Sequence, residues 1–237
     1  MAVVLLIETA TPVCSVAISK DHQILSIRES GEKNIHSSLI TVFVQEVMKE
    51  ADIPLNNVDA IAISKGPGSY TGLRIGTSTA KGLCYALDKP LIALSTLESM
   101  AHGAADHVKQ MRLACKEPML LCPMIDARRM EVYTAIYNES LNEIKGTSAE
   151  IITGKSFESF FEDHCLLFFG NGADKCKEVF IDQPKAICID DFLVSSRHMI
   201  QLAEEALSES HFEDLAYFEP FYLKDFIAGP PKVKGLN

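Results

Sequence analysis

Apolar residues dominate or alternate with polar ones in three short stretches at the start of the chain, Val3 to Glu8, Cys14 to Lys20 and Gln23 to Glu29. Only Thr9-Ala10-Thr11-Pro12 and Lys20-Asp21-His22 separate them. Links this short join antiparallel neighbours, so a meander is predicted. The period then lengthens. His36, Leu39, Ile40, Phe43, Val44, Val47 and Met48 fall on one helical face. Ser37 and Ser38 are candidate caps, and Val42 adds an apolar position off that face. Val58 to Ser64 predicts a buried strand, and Lys65 to Tyr70 a glycine-rich turn. A second helix from about Thr71 to Leu87 and a strand from Pro90 to Leu94 follow. Ser95-Thr96-Leu97-Glu98 then reads as the capping-box start of a third helix. The order is β-β-β-α-β-α-β-α. Strands parted by helices imply parallel pairs with right-handed crossovers.

Lys109 to Pro118 is polar and charged, a plausible boundary between a first lobe, 1–108, and a second, 109–237. A strand from Met119 to Asp126 turns at Ala127-Arg128-Arg129 into Met130 to Tyr137. This hairpin echoes the first at an offset of 118, pairing Ile7 with Ile125, Glu8 with Asp126, Ala17 with Ala135 and Ile18 with Ile136. Such an echo fits two related halves facing each other across a cleft. Beyond it, Cys165 to Phe169 and Ala186 to Ile189 read as strands, and Ser195 to Ser208 as an amphipathic helix. Glu219 to Lys232, with Pro220 and Pro230-Pro231, reads as extended, and this last segment is a candidate to pack back on the first lobe.

The chain has 237 residues and a formal charge of −10, from 22 basic and 32 acidic side chains. That balance excludes a broad nucleic-acid footprint, which needs clustered Lys and Arg. No apolar run reaches the roughly 18 residues a membrane helix needs. The start meets an acid at Glu8 and has no basic leader region, so it reads as a strand rather than a signal peptide. Seven scattered cysteines without a CxxC pair argue against a disulfide framework or a zinc knuckle, and for a reducing cytoplasm.

The densest chemical signal is KGPGSYTGLRIGTSTAKG, Lys65 to Gly82. Gly68, Ser69 and Thr71 sit where a helix begins. Exposed N–H groups there hold an anion in one reading and belong to a capped tight turn in the other. Neither Walker A nor GxGxxG spacing is present. Gly72, Gly76 and Ala80, four apart, form a bare stripe on the helix. Interior glycine costs roughly 1 kcal/mol relative to alanine. A close backbone neighbour explains it, either the protein's own sheet or a helix of another chain. Ser78-Thr79-Ala80-Lys81 matches SxxK without its companion motifs, and GxSxG is absent. No HxxxH or HExxH occurs, so no metal site is expected. Glu8, with Thr9 beside it, and Asp126 each end a strand ahead of a turn. Carboxylates so placed hold a Mg2+-bound nucleotide through water, or else cap turns.

KGPGSYTGLRIG resembles the signature of the bacterial TsaB family, glycoprotease-like accessory proteins of threonylcarbamoyladenosine synthesis on tRNA. Further ordered stretches agree: Leu6 to Thr11, Ser95-Thr96-Leu97, Ile125 to Arg128 with Glu131-Val132-Tyr133, and Pro220 to Lys224. Glu8 stands where members usually have Asp, and Lys65 and Tyr70 where Arg and Phe are frequent. The resemblance implies an α/β fold of the actin, sugar kinase and Hsp70 type, two-lobed with a reduced second lobe. It implies a pseudo-enzyme that dimerises with the catalytic TsaD through its first two helices, with the ATPase TsaE joining them. A homodimer is implied when the chain is alone, and tRNA is engaged only indirectly. The partner surface so expected comprises His36, Leu39, Ile40, Phe43, Val47, Gly72, Ile75, Gly76 and Thr79. No tightly bound cofactor is expected, and ATP or ADP with Mg2+ at the cleft or the subunit junction stays open. The rival expectations are a nucleotide-dependent ATPase or kinase using Glu8 and Asp126, and a peptidase.

Overall fold

The computed structural model describes residues 2–32, 36–111 and 117–224. Among the described residues, ten strands form two five-stranded sheets. The first contains β1 (Val3–Glu8), β2 (Cys14–Lys20), β3 (Gln23–Ser30), β4 (Ala60–Gly66) and β5 (Leu91–Ser95), in the order β3-β2-β1-β4-β5. β1 pairs antiparallel with β2 and parallel with β4, and β4 pairs parallel with β5. VVLLIE is apolar on both faces up to its last residue because β1 is the middle strand, buried from Val3 to Glu8.

The second sheet contains β6 (Met119–Asp126), β7 (Glu131–Asn138), β8 (Glu143–Ile151), β9 (Cys165–Phe169) and β10 (Ala186–Cys188). Its order, β8-β7-β6-β9-β10, repeats the first strand for strand, with the same parallel and antiparallel pairings. The echo in the sequence therefore has a topological counterpart, but its offset needs correction. Leu6 pairs with Ala17, whereas Met124 pairs with Thr134. The second turn is one residue shorter, so Ala135 and Ile136 are each one place removed from the counterparts of Ala17 and Ile18. The sequence reading also missed β8. It is an edge strand, EIKGTSAEI, with too little buried on either face to impose an apolar alternation.

Helices α1 (His36–Glu50) and α2 (Tyr70–Leu87) cover one face of the first sheet, where Ile40, Phe43, Val44 and Val47 meet Leu5, Ile7, Val16 and Ile61. Ser37 and Ser38 lie inside α1, not at its cap. Helix α3 (Thr96–Met111) follows β5 yet packs on the second sheet, through Leu97, Met100, Ala101 and Ala104 against Leu121, Ile125 and Leu167. The Ser95 hydroxyl accepts the Glu98 N–H at 3.4 Å, which realises the expected cap. Conversely, α6 (Ile200–Ser208) follows the second sheet and packs on the first, where Met199 and Ala203 meet Val4, Leu6, Ala60 and Ile92. The chain thus exchanges a helix between its two sheets. The outer face of the second sheet is closed by a phenylalanine cluster, with Phe168 and Phe180 stacked at 4.7 Å, beside the short helices α4 (Glu158–Phe161) and α5 (Asn171–Cys176).

Cys165 is disulfide-bonded, a single link that the scattered spacing did not predict, and Cys115 lies outside the described residues. The segment Glu219–Lys224 has no regular structure; the rest of the stretch read as extended, 225–232, lies outside the described residues.

Candidate functional site

Between the ends of β1 and β6 lies a cleft of about 610 Å3. Its first wall is the turn after β1 (Ala10, Thr11, Pro12) with the start of α2 (Gly68 to Thr71). Its second is the turn after β6 (Asp126 to Arg129) with Glu131, Tyr133 and Asn171, and Phe221 to Lys224 run along it. A neighbouring cavity of about 420 Å3 has Lys65, Glu98, Tyr137, Glu143 and Phe221 among its lining.

Of the expected anion contacts, Gly68, Ser69, Thr71 and Asp126 line this cleft. Ser69 is the cap of α2, its side chain accepting the Gly72 N–H at 3.3 Å; Thr71 lies within the helix and does not cap it. Glu8 and Thr9 do not reach the cleft, because both are fully buried beneath the turn. Glu8 Oε1 accepts the Ala10 N–H at 2.6 Å and the Ser64 hydroxyl at 2.7 Å, while Oε2 has no hydrogen-bond partner. Burial pushes its carboxyl up from 4.5 to about 7, against the lowering effect of those hydrogen bonds. Asp126 does face the cleft, but it is occupied. Its Oδ1 accepts the Arg128 N–H at 2.8 Å and pairs with Lys175.

Lys175 and Asn171 escaped the sequence reading, although both hold Asp126. Asn171 Oδ1 accepts the Asp126 N–H at 3.0 Å, and Lys175 also donates to the Glu131 carbonyl at 2.6 Å. The repeat would have found them. Gly66 before α2 and Gly170 before α5 both have left-handed φ, +113° and +95°. A Cβ on Gly172 would press on the backbone of Met124 and Ile125, as one on Gly72 would press on Thr9. α5 is the shortened counterpart of α2.

The glycine stripe has the intramolecular of its two expected uses. A Cβ at Gly68 would lie 2.3 Å from the Ala10 carbonyl oxygen, one at Gly72 2.0 Å from that of Thr9, and one at Gly76 2.2 Å from Thr9 Oγ1. Gly72 and Gly76 are therefore no part of an outer surface. Ile40, Phe43 and Val47 are likewise buried in the chain's own core. The expected surface is corrected to its outer members. Leu39, Ile75 and Thr79 are partly exposed, and Val42 is 40% exposed. Gly82, also on α2, faces open space. The side chain of His36 lies outside the described residues.

The SxxK candidate loses its free lysine. In the SxxK stretch, Lys81 donates to the carbonyls of Ala216 and Phe218 at 3.3 and 3.1 Å. Burial pushes the Cys14 thiol up to about 11 and those of Cys84 and Cys122 up to about 12, which disfavours the nucleophilic thiolate. Among the described residues, no three His, Cys, Asp or Glu side chains gather as metal ligands.

Comparison with known proteins accords with this geometry. The family model "TsaD: tRNA N6-adenosine threonylcarbamoyltransferase" matches residues 29–232. The Haemophilus influenzae tRNA threonylcarbamoyladenosine biosynthesis protein TsaB is 26% identical over 231 residues, covering 93% of each chain. The solved structure of YeaZ from Pseudomonas aeruginosa superposes with a TM-score of 0.73 at 25% identity, over 94% of this chain and 100% of that one. The polyphosphate/ATP-glucomannokinase of Arthrobacter sp. strain KM, at 9% identity and a TM-score of 0.52 over 89% of this chain and 100% of its own, shares the fold alone. With a family model matching most of its length and a TsaB protein aligned almost end to end, the chain belongs to the TsaD-like family and, within it, to the TsaB proteins.

Proposed function

We propose that this chain is a non-catalytic subunit in the synthesis of threonylcarbamoyladenosine on tRNA. It docks a TsaD-type transferase and supports delivery of the threonylcarbamoyl group to adenosine in tRNAs reading codons that begin with A. A TsaE-type ATPase completes the assembly, in the cytoplasm where tRNA is modified. Its similarity to a tRNA threonylcarbamoyladenosine biosynthesis protein and to the tRNA N6-adenosine threonylcarbamoyltransferase family supports the biosynthetic role. One observation carries the non-catalytic part. Of the two strand-end acids that a kinase or ATPase would use, Glu8 is sealed without access to the cleft, and Asp126 is held by Lys175 and the Arg128 amide. A general base or metal-bound water needs a carboxylate within reach of the reacting group.

The docking surface is the outer side of α1 and α2, with Leu39, Val42 and Ile75 as its apolar members and Thr79 beside them, and without the transferase two copies of the chain pair through it. Interfaces concentrate their binding energy in few residues. Val42→Glu is therefore expected to weaken association with the transferase about tenfold while leaving the unfolding midpoint in place, as read by calorimetry and urea titration. Reconstitution tests the whole reading. Modified tRNA is expected when the transferase and ATPase are supplied with this chain, and none from this chain alone. Threonylcarbamoyl transfer or sustained ATP turnover by the isolated chain would overturn it.

A second reading gives the cleft an ATP or ADP ligand with Mg2+. It is favoured by Arg128 and Arg129, exposed beside the start of α2 with no described acid paired to either guanidinium. Calorimetry with MgATP on the isolated chain distinguishes binding without turnover from no binding.

A further inference from the structure

We infer that the segment Phe218–Lys224 is a latch across the cleft, and that the ion pair of Lys224 with Glu131 is its release point. The segment is fixed firmly to the first sheet. Phe218 is buried in the core beneath α1 and α2. The Lys81 ammonium holds the carbonyls of Ala216 and Phe218. The Phe221 N–H donates to the Lys65 carbonyl at 2.7 Å, and the Tyr222 ring lies 4.9 Å from that of Tyr70. Gly66 makes this course possible. A Cβ there would stand 2.7 Å from the Phe221 carbonyl oxygen, and its φ of +113° is one that L side chains rarely adopt.

On the second sheet the attachment is of another kind. Among the described residues, the side chain of Lys224 meets Glu131 at the start of β7. The receiving end is itself held, because the Glu131 carbonyl accepts from Lys175, which also pairs with Asp126. One end is thus secured by backbone hydrogen bonds, a ring contact and a buried phenylalanine, and the other by a part-exposed pair of charges. Leu223 and Lys224 line the cleft beyond those anchors, so release at Lys224 frees that part of its wall, and the Phe221 amide is the first hydrogen bond behind the release point. Exposed ion pairs are individually weak and screened by salt. That suits a contact made and broken in function rather than one that holds the fold.

Hydrogen exchange of the Phe221 amide in the full chain tests the latch. Lys224→Gln is expected to speed its exchange about two- to fivefold, the size of a lost surface pair. Lys224→Arg keeps the charge and is expected to exchange at the wild-type rate. Raising salt from about 0.05 to about 0.5 M should speed exchange in the wild type and not in Lys224→Gln. An unchanged Phe221 amide in Lys224→Gln, or a Lys224→Arg variant as fast as Lys224→Gln, would overturn the inference. So would equal acceleration of the β1 amides, because the pair would then support the whole fold instead of the latch.

Discussion

Gly72→Ala is expected to destabilise the fold by about 2–3 kcal/mol. The added methyl would sit 2.0 Å from the Thr9 carbonyl oxygen, and that atom belongs to the turn directly after β1. A side chain could rotate aside, but this carbonyl cannot move unless the turn and α2 separate. Alanine's better helix propensity, about 1 kcal/mol, offsets only part of the strain. Gly68→Ala should behave similarly, since its methyl meets the Ala10 carbonyl oxygen at 2.3 Å. Gly76→Ala should cost less, because it meets Thr9 Oγ1 and Ile63 Cδ1, ends of side chains that can shift. Gly82→Ala supplies the internal control. Nothing lies within 4 Å of its added methyl, so a gain of about 0.5–1 kcal/mol is expected. Urea unfolding midpoints decide the matter. If Gly72→Ala were as stable as Gly82→Ala, the close approach of α2 to the first turn would be wrong.

Glu8→Gln is expected to stabilise the protein by about 3 kcal/mol above pH 7 and to change little below pH 4.5. Burial raises the folded-state carboxyl from 4.5 to about 7. Below 4.5 both folded and unfolded chains hold the proton, and no difference arises. Between 4.5 and 7 the unfolded chain releases its proton while the folded chain keeps it, so stability falls as pH rises. Above 7 the folded chain carries a buried carboxylate and the penalty is complete. Glutamine can still accept from the Ala10 N–H and the Ser64 hydroxyl, and it carries no charge. Thermal unfolding of both proteins at pH 5 and pH 8 measures the difference. Parallel pH profiles for wild type and Glu8→Gln would show that another group titrates.

The two results bear on the same piece of structure. The turn after β1 is pressed from outside by α2 and rests on Glu8 from below. It forms one wall of the cleft, while its counterpart after β6 is held by Lys175 and Asn171. The corresponding strand-end acids have thus diverged, one sealed and near neutrality, the other exposed and ion-paired. That divergence is the physical basis for reading the chain as a partner of an enzyme.

Much of the first half was legible from spacing. The meander, the apolar face of α1, the cap at Ser69 and the cap at Ser95 each depend on residues within a few positions of one another. The second half was legible where burial is complete, as in CLLFF of β9. It was illegible where a strand lies at an edge, as in β8, or where a helix has only six residues, as in α5. The candidate site was half legible. Gly68, Ser69, Thr71 and Asp126 do share one cleft, while Glu8 and Thr9 lie beneath it, and Lys175 and Asn171 went unseen.

Periodicity, caps and turn residues act over one or two turns of chain, so the residue order alone determined which segments become helix or strand and that α2 carries a bare stripe. Which surface fills that stripe depends on strand register and on how a helix is seated over a turn some sixty residues earlier. Only the folded chain decided that Thr9 occupies it, that Ile40, Phe43 and Val47 face inward, and that Lys224 reaches Glu131. Burial of a face leaves its period in the sequence, but which distant segment covers that face is a property of packing and leaves no such trace.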